Sequence, residues 1–545
     1  MTSLPIISTD SSRSSSFSGL GWSGDSAGLS FDLSDVKQKL NDLSRPLFVI
    51  KQAQGLAVVN HGELSSDANL PEVLGFTPAL LPETLGDPDF KKTYRTRYAC
   101  YAGSMANAIS SIEMVIALGK QGMLGSYGAG GMSPARIEEA IHQVQAALPE
   151  GPYAFNLLNS PNEPAMEKRT ASIYLQNGVH TIEASAYLSM TAALVWYRVS
   201  GLSLGPDGQV LIANHIIAKV SRKEIAKRFM EPAPADILNQ LLSENKITQE
   251  QITLASRVPM ADDITVEADS GGHTDNRPLI SLIPAMVALR NSLQEKYAYT
   301  VPVRIGAGGG IATPASALAA FTMGAAYIVT GSVNQSCLES GASEHTRNLL
   351  SQAEMTDMTM APAGDMFEMG VKVQVLKRGT LFAMRAQKLY DLYARYETWE
   401  EIPLKEREKL ETSVFKRTFN DIWQECQRFF GERDPRQVER GNQNPKDKMA
   451  LVFRWYLGLS SRWSNTGEKG REMDYQVWCG PAMGAFNDWV RGAYLADIQH
   501  RRVADVTLHI LTGCAYLQRL RFLQAQGLRF SPLLDNYLPE KPIIG

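Results

Sequence analysis

Cysteine is scarce: five residues in 545, at positions 100, 337, 426, 479 and 514, with no CxxC pair. That spacing excludes a disulfide scaffold and a thiolate zinc site, and it fits a reducing, cytoplasmic setting. No metal site is expected. The first residues lack a positive start followed by an apolar core, so no signal peptide is expected. A surplus of positive charge is missing too. The chain has 54 Lys+Arg against 57 Asp+Glu, a net charge of −3 and a pI near 6.3, which argues against a dedicated nucleic-acid binder. Long apolar runs are few. Residues 305–338 carry no charge, but Gly308-Gly309-Gly310, Pro314, Gly324 and Gly331 interrupt them. They read as loop, helix, strand and loop rather than as a membrane span.

What is present points to a large folded chain. Hydrophobic residues make up 44% and charged residues 20%, enough apolar matter for a sizeable core. Residues 1–30 hold eleven serines and are expected to be a flexible leader. Residues 31–95 read as a small α+β cap. From 96 to 340 short apolar runs alternate with helical stretches. Strand signals fall at 97–101, 124–127, 153–157, 181–184, 215–220, 264–267, 303–305 and 327–330. Ser133-Pro134 is a helix start, with a capping residue followed by proline. Eight strands with helical crossovers predict an α/β fold, a (β/α)8 TIM barrel, with a doubly wound open sheet as the alternative. Residues 232–262 interrupt the rhythm and read as an inserted, lid-like helical segment. Residues 341–545 read as a mostly helical C-terminal domain.

The charge is uneven. Residues 1–369 hold 26 Lys+Arg against 36 Asp+Glu, whereas residues 370–545 hold 28 against 21. A basic face for an anionic partner is one reading, and uneven solvation is the other. Six of the eight tryptophans (Trp399, Trp423, Trp455, Trp463, Trp478 and Trp489) lie in the C-terminal section. They form either a core or the lining of an apolar path.

Two motifs carry the chemistry. In the first, a strand runs into Gly308-Gly309-Gly310 and a helix start, and the next strand ends at Gly331-Ser332. Glycines let backbone approach a phosphate, and helix-start N–H groups supply donors. Barrels hold phosphates at the turns after strands seven and eight, where these residues fall. No GK[ST] follows, so the turn is not a Walker loop. The second motif, Glu267-Ala268-Asp269-Ser270-Gly271-Gly272-His273-Thr274-Asp275-Asn276-Arg277-Pro278, follows strand six. Its glycine pair permits close approach to a flat ring, and His273 can donate a proton near neutral pH. Weaker candidates end other strands: Ala102-Gly103-Ser104-Met105, Asn156, Glu183, Ser185 and Lys219. Each could touch a ligand or make a structural hydrogen bond.

In this order the two motifs resemble those of the nitronate monooxygenase-like flavin barrels. The long form of the histidine motif, with its insertion and helical C-terminal section, is more closely similar to the trans-acting enoyl reductases of polyunsaturated fatty acid and polyketide synthases (the PfaD type). The resemblance implies FMN at the barrel mouth, with Gly308, Gly309, Gly310, Gly331 and Ser332 at its phosphate. Ala102, Gly103 and Met105 would pack along the ring near Gly271 and Gly272, with Asn156 and Lys219 at its polar edge. His273 would be the catalytic histidine, with Lys219 assisting. Asp275 stands where the monooxygenase pattern has glycine. The implied reaction reduces the 2,3 double bond of an enoyl thioester on an acyl carrier protein, with hydride from NADPH or NADH. A nitronate-oxidising flavoprotein and a non-catalytic flavin- or carrier-binding subunit are the alternatives. The oligomeric state stays open, a homodimer included.

Overall fold

A computed structural model describes residues 6–9, 17, 19–67, 69–159 and 163–544. Eight parallel strands close into a barrel in sequence order: β1 (Cys100–Ala102), β2 (Leu124–Tyr127), β3 (Ala154–Leu158), β4 (Thr181–Ser185), β5 (His215–Val220), β6 (Asp263–Glu267), β7 (Arg304–Gly308) and β8 (Ile328–Thr330), with β8 pairing back to β1. The expected barrel is borne out, and each strand lies within three residues of its predicted bounds. Outer helices follow: α1 (Ile112–Lys120), α2 (Pro134–Ala147), α3 (Pro164–Gln176), α4 (Ala192–Ser200), α5 (Lys223–Met230), α6 (Leu279–Tyr297) and α7 (Pro314–Thr322). The Ser133 side chain caps α2 and Pro134 opens it, as the sequence predicts.

Strand alternation sorts the side chains. Ile264 and Val266 of β6 join the apolar layer beneath the helices. Asp263, Thr265 and Glu267 face inward, in stacked levels. At the lowest level Arg304 donates to both oxygens of Asp263 at 2.8 and 2.7 Å, and Tyr94 donates to the same carboxylate. Tyr94 belongs to the helix Pro88–Tyr94, which plugs this end; its Phe90 stacks on Tyr327 at 4.2 Å. Above them Thr265 shares hydrogen bonds with the hydroxyls of Tyr101, at 3.0 Å, and Tyr327, at 2.9 Å. Gly306 makes room for this: a Cβ there would stand 2.2 Å from the Tyr327 ring. The highest level is polar and forms the mouth.

Three boundaries differ from the sequence reading. The leader expected at 1–30 is ordered where it is described: Ile7–Thr9 pairs with Leu528–Phe530, while residues 1–5, 10–16 and 18 lie outside the described residues. Gly21–Ser23 pairs with Glu63–Ser65, and Trp22 is buried. The inserted segment does not cover the mouth. Its helices, Ala235–Ser243 and Gln249–Ala255, leave the end of α5 and pack on the outside of α4. Met260 and Ala261 then bond back to Glu231 and Phe229 just before β6 begins, at the end opposite the glycine turns.

The third correction concerns the C-terminal section. Only the short helix Ser332–Gln335 follows β8 directly. The helix that packs between α7 and α1, where the eighth outer helix belongs, is α8 (Val503–Ala525). The barrel therefore does not end near 340. Residues 336–502 are inserted between its last strand and its last helix. They are mostly helical, but the strands Met358–Pro362 and Lys372–Leu376 join Gly272–His273 in a three-stranded sheet. Trp399, Trp423, Trp463 and Trp489 are buried there, so this aromatic group is core. Among the described residues, no helix is long and apolar enough to cross a membrane.

Candidate active site

The C-terminal ends of the strands bring most of the sequence candidates to one mouth. Glu183, wholly buried at the end of β4, accepts hydrogen bonds from the N–H and hydroxyl of Ser104 at 2.9 and 2.8 Å. Lys219 of β5 lies 3.4 Å from Glu183 and 3.6 Å from Glu267. Burial works against its charge, but Glu267 and Glu183 more than offset this and raise its pKa above the ordinary lysine value. The expected cation is thus held by two carboxylates. Glu267 is the partner that sequence reasoning missed; its place at the end of β6, at the head of the histidine motif, was the available signal. Asn156 of β3 donates to the Glu183 carbonyl at 3.0 Å and to Ser185 Oγ at 2.8 Å, which fixes its amide.

The first turn is less simple than its sequence suggests. The Ala102 methyl joins the apolar layer under the helices, so Ala102 faces the mouth with backbone alone. Gly103 faces inward, where a Cβ would stand 3.1 Å from Val329. The Met105 N–H donates to Ser110 Oγ at 2.9 Å, and Ser110 in turn donates to the Gly103 carbonyl at 3.0 Å. Asn107 and Ala108 hold positive φ angles of 57° and 54°, a costly conformation for residues with a Cβ. The Asn107 amide donates to Ser461 of the inserted region at 3.0 Å, which helps tie the turn down.

The two glycine turns, expected to hold a phosphate, lie side by side at the barrel mouth. β7 and β8 are neighbours, with Gly308 opposite Val329. A Cβ on Gly310 or Gly331 would meet nothing within 4 Å. The N–H groups of these two glycines find no acceptor among the described residues. Gly309, at φ +80°, turns the chain where a Cβ would stand 2.7 Å from the Ala268 backbone. Gly308 is packed more closely, 3.0 Å from Thr265. Ser332 opens the short helix, and its Oγ accepts the Gly480 N–H at 3.0 Å. Open space walled by free amides suits the terminal phosphate of a mononucleotide such as FMN.

His273 sits on the strand Gly272–His273, opposite Val373. Its Nε2–H donates to Asp365 Oδ1 at 3.2 Å. Burial works against the imidazolium, but the hydrogen bond and charge of Asp365 prevail, and the pKa is raised above the ordinary histidine value. Gly271 has a task other than the expected approach to a ring. A Cβ there would stand 2.8 Å from the Cys479 backbone, so Gly271 lets the Cys479–Gly480 segment wedge between the histidine loop and Ser332. Gly272, at φ +81°, faces open space. Burial pushes the Cys479 thiol up to about 12, which disfavours its thiolate. Asp275 does not reach His273. It accepts from Ser221 at 2.6 Å and from Arg222 at 3.0 and 2.9 Å, and Arg222 holds its carboxyl down to about 2. The residue that departs from the monooxygenase pattern thus anchors the histidine loop to the end of β5.

The class is an α/β barrel with two open glycine turns after its last two strands and a histidine and a paired lysine at its mouth. Comparison with known proteins narrows it. The nitronate monooxygenase family matches residues 88–389, the N-terminal domain of fatty acid synthase subunit PfaD matches 22–79, and the inserted helical domain of [acyl-carrier-protein] S-malonyltransferase matches 396–475. A polyunsaturated fatty acid synthase subunit of Thraustochytrium sp. is 46% identical over 93% of this chain and 34% of its own length. Polyketide biosynthesis protein PksE of Bacillus subtilis is 43% identical over 86% of this chain and 60% of its own. The chain therefore spans less than two thirds of either relative. The crystal structure of the enoyl reductase domain of MlnA, from the macrolactin biosynthesis cluster of Bacillus amyloliquefaciens, superposes with a TM-score of 0.78 at 39% identity, covering 81% of this chain and 99% of that domain. This chain belongs to the nitronate monooxygenase family and, within it, to the PfaD-type enoyl reductases.

Proposed function

We propose that the chain reduces the 2,3 double bond of enoyl thioesters carried on acyl carrier protein, within polyunsaturated fatty acid or polyketide biosynthesis. The observation that carries this reading is the pairing of the open cradle at Gly310 and Gly331 with His273 at the same mouth. The 39% identity to an enoyl reductase domain supports it. FMN, with its phosphate held by the turns 308–310 and 331–332, would supply hydride transfer from NADPH or NADH to the β-carbon. The chain's own residues do the rest. Gly103 and Met105 offer the ring a wall of backbone and thioether. Asn156 and Lys219 mark its polar edge, where Lys219 holds the two carboxylates and the first turn in register. His273 delivers the proton to the α-carbon. A positioned acid of this kind contributes about 100- to 10,000-fold in rate.

Steady-state NADPH consumption with a trans-2-enoyl carrier thioester tests the reading. Turnover with that substrate and no oxygen uptake with nitroalkanes is the expected result. Rapid oxygen uptake with nitroalkanes and no turnover of the thioester would transfer the assignment to nitronate oxidation.

A further inference from the structure

The histidine loop contains an acidic residue two positions from His273, yet the structure gives the imidazole another partner. Asp275 is occupied by Ser221 and Arg222. Asp365, 92 positions away in sequence, accepts from His273 Nε2. It comes from the turn between the strands Met358–Pro362 and Lys372–Leu376, and the second of these pairs directly with Gly272–His273. The turn itself is braced. The Ala363 N–H donates to the Val371 carbonyl at 2.8 Å. Arg454 donates to the Gly364 carbonyl and to Glu368, both at 3.0 Å. The His273 Nδ1 makes no hydrogen bond among the described residues.

We propose that Asp365, supplied by the inserted region, is the positioning residue of the reaction: it holds His273 by Nε2 and leaves Nδ1 as the nitrogen that gives its proton to the substrate. This rests on the enoyl reductase reading. The proton balance is simple. Nδ1–H breaks as the new α-carbon–hydrogen bond forms, and the neutral imidazole keeps its Nε2–H on Asp365 until solvent reprotonates Nδ1. The region between β8 and α8 thereby belongs to the chemistry.

The charged groups acting on His273 are Asp365 from the inserted turn, Glu267 from β6 and Lys219 from β5, while Arg454 acts on Asp365. Lys372, beside the strand partner Val373, is exposed. Of these, Asp365 alone is bonded to the ring. Both side chains of the pair are about half exposed, at 47% and 57%, so water weakens their coupling.

The test is Asp365→Asn in the full chain loaded with FMN, read in two ways. Carbon-13 labelling of the eight histidines, with His273 assigned through His273→Gln, follows the imidazole titration directly. The pH profile of enoyl reduction follows the proton donor. Asp365→Asn should lower the His273 titration by about 0.5 to 1 pH unit. The alkaline limb of kcat should move to lower pH by the same amount, and Asp365→Glu should restore both. An unchanged His273 titration in Asp365→Asn would overturn the pairing. A shifted titration with an unshifted kcat limb would overturn the positioning role. Failure of the underlying functional reading looks different: the unsubstituted protein would reduce no enoyl thioester, whatever its histidine titration.

Discussion

At the scale of single residues, the mouth is defined by side chains that are absent and by charges that are paired. Gly331 is the clearest case of absence. A Cβ there meets no protein atom within 4 Å. Gly331→Val should weaken FMN binding by about tenfold or more, a loss of about 1.4 kcal/mol. Flavin fluorescence titration measures it, with Gly331→Ala as the milder step. Full affinity in Gly331→Val would remove the cradle from the account. The glycine motifs were legible in sequence because a turn needs few residues, all of them local. Asp365 was not legible, since its contact with His273 depends on strand pairing across 92 positions. Nor did the sequence reveal that Lys219 is held between two carboxylates, because Glu183 and Glu267 lie on separate strands.

At the scale of elements, α8 is the piece on which the architecture turns. It is buried nearly all round, against α7 and α1 on the barrel side and against the N-terminal sheet on the other. A helix of that kind shows little amphipathic periodicity. Its sequence gives no sign that it closes the barrel ring from beyond a long insertion. The strands, by contrast, were found within a few residues, because parallel strands buried on both faces read as short apolar runs bounded by turns. Arg519 joins α8 to the N-terminal unit. Wholly buried, it donates to the carbonyls of Leu40 at 3.2 Å, Asp42 at 2.8 Å and Arg45 at 2.6 Å, which close the C-terminal end of the helix Leu33–Asn41. Arg519→Met would leave those acceptors unmatched and cost about 2–4 kcal/mol. Hydrogen exchange should show the loss first in the strands Leu47–Gln52 and Gly55–Val59, with β1–β8 still protected. Uniform loosening of barrel and cap together would mean that α8 couples them as one cooperative unit.

At the scale of the whole molecule, the basic surplus of residues 370–545 is partly spent inside. Arg501 and Arg519 are buried on internal acceptors, and Lys446 donates to the carbonyls of Tyr393 and Tyr396. Lys405, Lys409, Arg428, Arg436 and Arg440 stay exposed on the inserted helices. If these residues meet an acidic carrier protein, KM for a carrier-bound enoyl thioester should rise with salt, since charges across water are screened beyond about 10 Å at 0.1 M. A small free thioester should show no such rise. Equal salt dependence for both substrates would remove carrier docking from this face. The central claim is a flavin reduced by nicotinamide and reoxidised by an enoyl thioester, and anaerobic visible spectroscopy of the purified, FMN-loaded chain tests it most directly. The account predicts that NADPH or NADH bleaches the yellow band and that an enoyl thioester then restores it without oxygen. A chain that retains no FMN, or a reduced flavin that only oxygen can reoxidise, would contradict it.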